Sequence, residues 1–172
     1  CEIAQAQACN HKAPVNYWMH GNMLTLNGKK MAKSTGNNIL PGDLFTGDSP
    51  FLTKGYSAGV VRFFMLQAHY RSILDFSDDA ILASEKGYNR LMEAMKILQG
   101  LQPAATAAFS VEDWKKQCYA AMNDDFNSPI LIAHLFDAVK AINLAKEGKA
   151  VFDQAGLELL RQSMFSFLFE VL

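Results

Sequence analysis

At 172 residues, 50% hydrophobic and 19% charged, the chain has ordinary globular composition, with material for one large domain or two small ones. A net charge of -1 gives no global sign of a polyanion partner. It hides an asymmetry, because seven Lys and Arg stand against three acidic residues from Cys1 to Leu74, +4 locally, which leaves -5 for the remainder.

Cys1, Cys9 and Cys118 show no Cys-x-x-Cys spacing and cannot all pair, which points to free thiols in a reducing compartment. No stretch approaches the roughly 20 apolar residues of a membrane span, and no basic-then-apolar leader opens the chain, so a soluble protein is expected. The chain opens on Cys1 rather than Met, directly into Glu2-Ile3-Ala4-Gln5-Ala6-Gln7-Ala8, which reads as a helix already under way. The front of a longer protein is expected to precede it. Ala13-Pro14 ends this helix, and Val15 to His20 is the first cluster of strand-favouring residues.

A hairpin signal follows: Met23-Leu24-Thr25-Leu26, then Asn27-Gly28, then Lys29-Lys30-Met31, with two central residues that tolerate positive φ. Ala32 to Asn38 reads as a loop in which Ser34, Thr35, Gly36, Asn37 and Asn38 supply turn chemistry. Pro41, Gly42, Gly47, Pro50, Gly55 and Gly59 punctuate a connector with one short helix around Asp43 to Phe45. The apolar run from Val60 fits a buried helix or a buried strand by periodicity, and a helix starting near Ser57 is favoured.

The rest reads as four capped amphipathic helices. Ser77 caps one from Asp78 that carries Tyr88, Leu91, Met95 and Leu98 and stops at Gly100 and Pro103. Ser110 with Asp113 opens a second, lining up Trp114, Cys118 and Met122. Ser128-Pro129 reads as N-cap and first helical residue of a third, with Leu131, Leu135, Ala138 and Ile142 as its stripe and Gly148 as its end. The last begins near Asp153 and runs through Leu157, Leu160, Met164, Phe167 and Leu168. The predicted fold is mainly α: a short β-hairpin and loop, a connector, and an antiparallel helical bundle.

Chemistry concentrates in Lys30-Met31-Ala32-Lys33-Ser34, where a strand gives way to a loop of glycine and small polar residues. Two lysines three apart and one hydroxyl can converge on phosphate oxygens, each ammonium acting as a mobile point charge. On spacing alone the same pentapeptide also fits a solvated basic turn beside a hairpin.

The pentapeptide resembles the Lys-Met-Ser-Lys-Ser signature of class I aminoacyl-tRNA synthetases, with Ala32 in place of the first serine and both lysines and Ser34 in register. Glu2-Ile3-Ala4-Gln5, the run Val61-Arg62-Phe63-Phe64, His69-Tyr70-Arg71-Ser72 and Leu74-Asp75-Phe76-Ser77, and Met122-Asn123-Asp124-Asp125-Phe126-Asn127-Ser128-Pro129 resemble segments of the cysteinyl branch of that class, in the family's order. Asn123 and Ser128 depart mildly from its pattern, and Cys1 stands where asparagine is usual.

The resemblance implies an ATP-dependent ligation of L-cysteine to tRNA(Cys) through a cysteinyl adenylate, in a cytoplasmic, monomeric enzyme. It implies catalytic roles for Lys30, Lys33 and Ser34, with Lys33, Lys30 and Met31 at the ATP, and Mg2+ accompanying the nucleotide. It implies one Zn2+ that selects the substrate thiolate, with Glu2 as one ligand and the others upstream; a soft thiolate suits zinc where a hydroxyl does not. Read by itself, Glu2 is an ordinary exposed glutamate at a helix start, and Cys9 and His11 are too few to hold a metal. Arg62 and Arg71 could meet tRNA phosphates, or could snorkel or pair with Asp75.

The implied division is 1-38, the tail of a Rossmann-type catalytic domain with the signature loop; 39-76, a stem-contact connector; and 77-172, a DALR-type helical bundle on the tRNA side. Two other functions fit the residues less well: transfer of activated cysteine to a small amine, as in mycothiol synthesis, and a non-catalytic helical module that docks RNA or protein. The 172-residue chain alone is expected to fold without activating cysteine.

Overall fold

The computed structural model describes residues 1–105, 107–149 and 152–172, with Thr35 described by its backbone only. Helix α1 (Glu2–Asn10) buries no residue and ends on His11, which closes it in the left-handed region at φ 54°. Val15 to His20, the cluster of strand-favouring residues, forms no strand: the segment is exposed, with Tyr17 at 89%, and among the described residues no strand runs beside it. Strand propensity describes fit to a neighbour and a half-buried face, and this segment has neither.

Strands β1 (Leu24–Leu26) and β2 (Lys29–Lys30) pair antiparallel, with Thr25 opposite Lys30 and Leu26 opposite Lys29. Asn27 at φ 52° and Gly28 at φ 73° make the two-residue turn, the positive-φ pair that matches the natural twist of a hairpin. A third strand, β3 (Leu74–Phe76), was not visible in the sequence pattern; it lies parallel to β1 in the order β2-β1-β3. A parallel partner needs a crossover, and the connector supplies it. The lysines of β2 occupy the free edge, where charge discourages further strand pairing.

The crossover carries α2 (Pro41–Thr46) and α3 (Ala58–Leu66). Helix α2 is longer than the expected Asp43 to Phe45, because Pro41 sits in its first turn and the Asp43 carboxylate accepts from the Leu40 N–H at 2.9 Å. Helix α3 starts where expected, with Ser57 Oγ accepting from Val60 N at 3.3 Å. Val60, Val61 and Phe64 pack with Leu26, Leu44, Tyr56, Phe76 and Ile81, while Phe63 enters the core of the helical bundle. One helix thus belongs to both cores.

Helices α4 (Asp78–Gly100), α5 (Val111–Asn123), α6 (Ser128–Lys146) and α7 (Gln154–Phe165) form that bundle, and α7 runs on into a π-helical turn, Ser166–Val171. Ser77, Ser110 and Asp153 cap as the pattern predicts, each side chain accepting from a backbone N–H three residues on. At α6 the cap is shifted by one: Asn127 is the N-cap, without a side-chain bond, and Ser128 is already helical. The predicted stripe holds, with Leu131, Leu135, Ala138 and Ile142 each 0% exposed.

Helix α6 corrects the reading that no stretch is long and apolar enough to cross a membrane. Its 19 residues qualify by length and composition, yet its apolar stripe is spent on the bundle core. Trp114 Nε1 donates to the His134 carbonyl at 2.7 Å, joining α5 to α6 across their short link, and the Arg161 guanidinium of α7 donates to the Leu98 and Leu101 carbonyls at 3.2 and 2.8 Å. The last contact satisfies carbonyls that the end of α4 leaves without helical partners. Cys118 is a buried thiol whose pKa is pushed up to about 12, chiefly by burial, so it serves as core.

Candidate active site

The hairpin is tied to β3 by one side chain. The Asp75 carboxylate accepts from Thr25 Oγ1 at 2.5 Å and from the Gly28 N–H at 2.8 Å, and the Asn27 N–H donates to the Phe76 carbonyl at 2.8 Å. The turn that precedes the two lysines is therefore held from the neighbouring strand.

Beyond β2 the chain closes on itself. Ala32 N–H donates to the Asn37 carbonyl at 2.9 Å, and Asn37 Nδ2 reaches back toward the carbonyls of Lys30, Lys29 and Leu26 at 3.1, 3.3 and 3.5 Å. Between those ends Lys33, Ser34 and Thr35 form one 3-10 turn, stopped by Gly36 at φ 66°, whose N–H donates to the Lys33 carbonyl at 3.1 Å. Glycine suits that left-handed stop. The Thr35 side chain, expected to add turn chemistry, lies outside the described residues.

Lys30, Met31, Lys33 and Ser34 all stand on or beside this loop. Lys30, Lys33 and Ser34 are exposed, Met31 is half-buried and anchors the loop in the front core, and no ion pair occupies either lysine among the described residues. Lys30 also lines a depression of about 390 Å³ with Lys29, Gly36, Asn37 and Phe51. Two mobile ammonium groups on a braced loop suit a polyanionic group that gains charge as it departs. Asn37 supplies the turn chemistry expected of it, whereas the hold of Asp75 on the hairpin is what motif reading missed.

Glu2 is exposed, and no bond joins it to the loop among the described residues. Cys9 and His11 are exposed too, and among the described residues no three His, Cys, Asp or Glu gather to hold a metal ion. Glu2 alone does not make a zinc site.

Arg62 Nε donates to the Leu172 carbonyl, and Arg62 also lines a cavity of about 320 Å³ between α3, α4 and the π-helical turn. Arg71 pairs not with Asp75 but with Asp125, Nε to Oδ2 at 2.6 Å. Asp75 is already committed to the hairpin, which is why that partnership does not form.

With this geometry in place, residues 1–86, half of the chain, match the family of tRNA synthetases class I (C) catalytic domains. The chain belongs to that family. Residues 117–171 match a second family, the DALR domain, which starts within α5 and runs through the π-helical turn. The chain is similar over all 172 residues to the cysteine–tRNA ligases of Parabacteroides distasonis (53% identical), Porphyromonas gingivalis (50%) and Bacteroides fragilis (47%). In each case it spans 35% of the relative's length.

Proposed function

We propose that the chain is the signature-loop and helical part of a cytoplasmic ligase that joins L-cysteine to tRNA(Cys) at the expense of ATP. The observation that carries this reading is the braced loop offering Lys30 and Lys33 without an acidic partner among the described residues. A solvated basic turn has no need of a closing bridge, a three-carbonyl contact from Asn37 and an aspartate locking the preceding turn.

In the first step a carboxylate oxygen of cysteine attacks the α-phosphorus of ATP, and the bond to the bridging oxygen breaks toward pyrophosphate. Charge accumulates on the departing diphosphate, where the Lys33 ammonium, with Lys30 beside it, compensates it. Mg2+, when bound with the nucleotide, would supply further positive charge there. In the second step a terminal ribose hydroxyl of the tRNA attacks the activated carbonyl, and AMP leaves. Ser34 supplies a hydroxyl to the phosphates and Met31 holds the loop to the front core.

Glu2 would give one oxygen to a zinc ion, the other ligands coming from elsewhere in the protein. Residues 1-38 are read as the end of the catalytic domain, 39-76 as the stem-contact connector and 77-172 as the tRNA-side bundle. Arg62 and Arg71 would be the residues that meet tRNA phosphates. The names of the relatives favour tRNA over a small amine as acceptor.

In the full-length ligase, Lys33→Ala should lower cysteine-dependent ATP–pyrophosphate exchange by about 10²-fold while tRNA affinity stays within about twofold. Exchange at the wild-type rate would remove Lys33 from the mechanism.

A further inference from the structure

The link between α5 and α6 contains two successive non-glycine residues in the left-handed region, Asp125 and Phe126, both at φ 54°. Side chains of L residues adopt this conformation rarely, and surrounding contacts must hold it. Phe126 is 56% exposed, so its own packing is not what holds the corner. The contacts fall on Asp125.

Its carboxylate accepts from Tyr70 Oη at 2.6 Å and from Arg71 at two nitrogens, Nε at 2.6 Å and Nη2 at 3.2 Å. Its carbonyl lies 3.1 Å from His69 Nε2. The donors reinforce one another: the His69 and Tyr70 rings stack at 4.8 Å, and Arg71 Nε donates to Tyr70 Oη at 3.0 Å. Hydrogen bonds from Tyr70 and Arg71 keep the Asp125 carboxyl below the usual range, so it is ionised at neutral pH.

Tyr70 and Arg71 present their backbone the other way. Asn22 N–H donates to the Tyr70 carbonyl at 2.8 Å and Asn22 Nδ2 to the Arg71 carbonyl at 2.6 Å. Asn22 Oδ1 accepts from Met23 N–H at 2.7 Å, and the Met23 carbonyl accepts from Leu74 N–H at 3.1 Å, which is where the parallel register of β1 and β3 begins. A continuous polar path therefore runs from the α5–α6 corner, through residues 69–71, to the strand that leads into the lysine loop.

We propose that Asp125 is a positioning residue for the transfer step, its grip on Tyr70 and Arg71 setting the bundle's angle to the loop-bearing hairpin so that a tRNA held along the bundle delivers its 3′ end to the activated cysteine. The inference rests on the ligase reading. Formation of the adenylate needs only small ligands on the loop side and is indifferent to that angle, whereas transfer depends on it. Helix α3 joins the two cores by apolar contacts that do not involve Asp125.

The test compares wild type, Asp125→Ala and Asp125→Asn in the full-length ligase, by cysteine-dependent ATP–pyrophosphate exchange and by cysteinylation of tRNA. Asp125→Ala should lower kcat/KM for tRNA about tenfold or more, with exchange within about twofold of wild type, and Asp125→Asn should fall between. Equal losses in both assays, or no loss in either, would overturn the proposal. If the alanine variant does not fold, the asparagine variant decides by the same split. A wild-type enzyme inactive in both assays would instead sink the ligase reading on which the proposal stands.

Discussion

Replacing Asp75 by alanine removes the acceptor that Thr25 Oγ1 and Gly28 N–H share, at 2.5 and 2.8 Å. Hydrogen bonds to a charged group contribute about 1.5–3 kcal/mol each when buried, and Asp75 is exposed, so about 1 kcal/mol apiece is the better figure. The loss of about 2 kcal/mol falls on one turn rather than on the whole fold, because the bundle core shares no residue with it. Local opening of the turn should then become about 30-fold more frequent, at 1.4 kcal/mol per factor of ten. Amide hydrogen exchange followed by NMR reads this directly: the Gly28 amide should lose protection by about that factor, while the Leu135 amide in α6 should keep its own. Asp75→Asn retains an acceptor without the charge and should lose roughly half as much in free energy. A Gly28 amide whose protection changes less than about threefold in the alanine variant would refute the claim that Asp75 holds the turn.

Two further outcomes follow from packing and protonation. A Cβ on Gly55 would stand 2.2 Å from the Phe45 carbonyl oxygen, backbone that cannot step aside, so Gly55→Ala should cost about 3 kcal/mol or more, about 6–12 °C in Tm by calorimetry. Gly42→Ala, with nothing within 4 Å of the added carbon, is the control and should leave Tm within about 2 °C. Tyr56 has its pKa raised to about 12, first by burial and then by the Asp78 carboxylate that accepts its proton at 2.6 Å. A raised folded pKa means stability fully present below the unfolded value near 10 and lost as pH climbs toward 12, so Tm should fall over that window. Tyr56→Phe should show a shallower fall, and superimposable Tm–pH curves would remove Tyr56 as the cause.

Local signals were legible where one short segment contains the whole cause. Ser57, Ser77, Ser110 and Asp153 each cap within three residues, and Asn27-Gly28 needs only its own dihedral freedom to turn. What escaped was long-range. Strand β3 is three residues long, too short for a period to appear, and becomes a strand because Leu24 to Leu26 lies alongside it. Val15 to His20 has the residues of a strand and no such neighbour. Asp75 and Asp125 act on partners about fifty residues away, which no spacing rule reaches. The only hint available was that both lie in segments already singled out for their resemblance to cysteinyl-tRNA synthetases.

The way the loop is held bears on how any lysine variant must be interpreted. Bonds that hold it closed run to backbone: Ala32 N–H to the Asn37 carbonyl, Asn37 Nδ2 toward three carbonyls, Asp75 to the Gly28 N–H. Among the described residues, the Lys30 and Lys33 ammonium groups take no part in it. Ala32, where the family signature has serine, contributes its backbone N–H to the closing bridge, so loss of that hydroxyl leaves the bridge intact. Scaffold and chemistry are thus separated within a few residues, and neutralising Lys33 removes charge without loosening the loop. A fall in exchange after Lys33→Ala, with Gly28 amide protection unchanged, would therefore measure the electrostatic contribution itself; a fall accompanied by lost protection would mean that the lysine had been holding the loop after all.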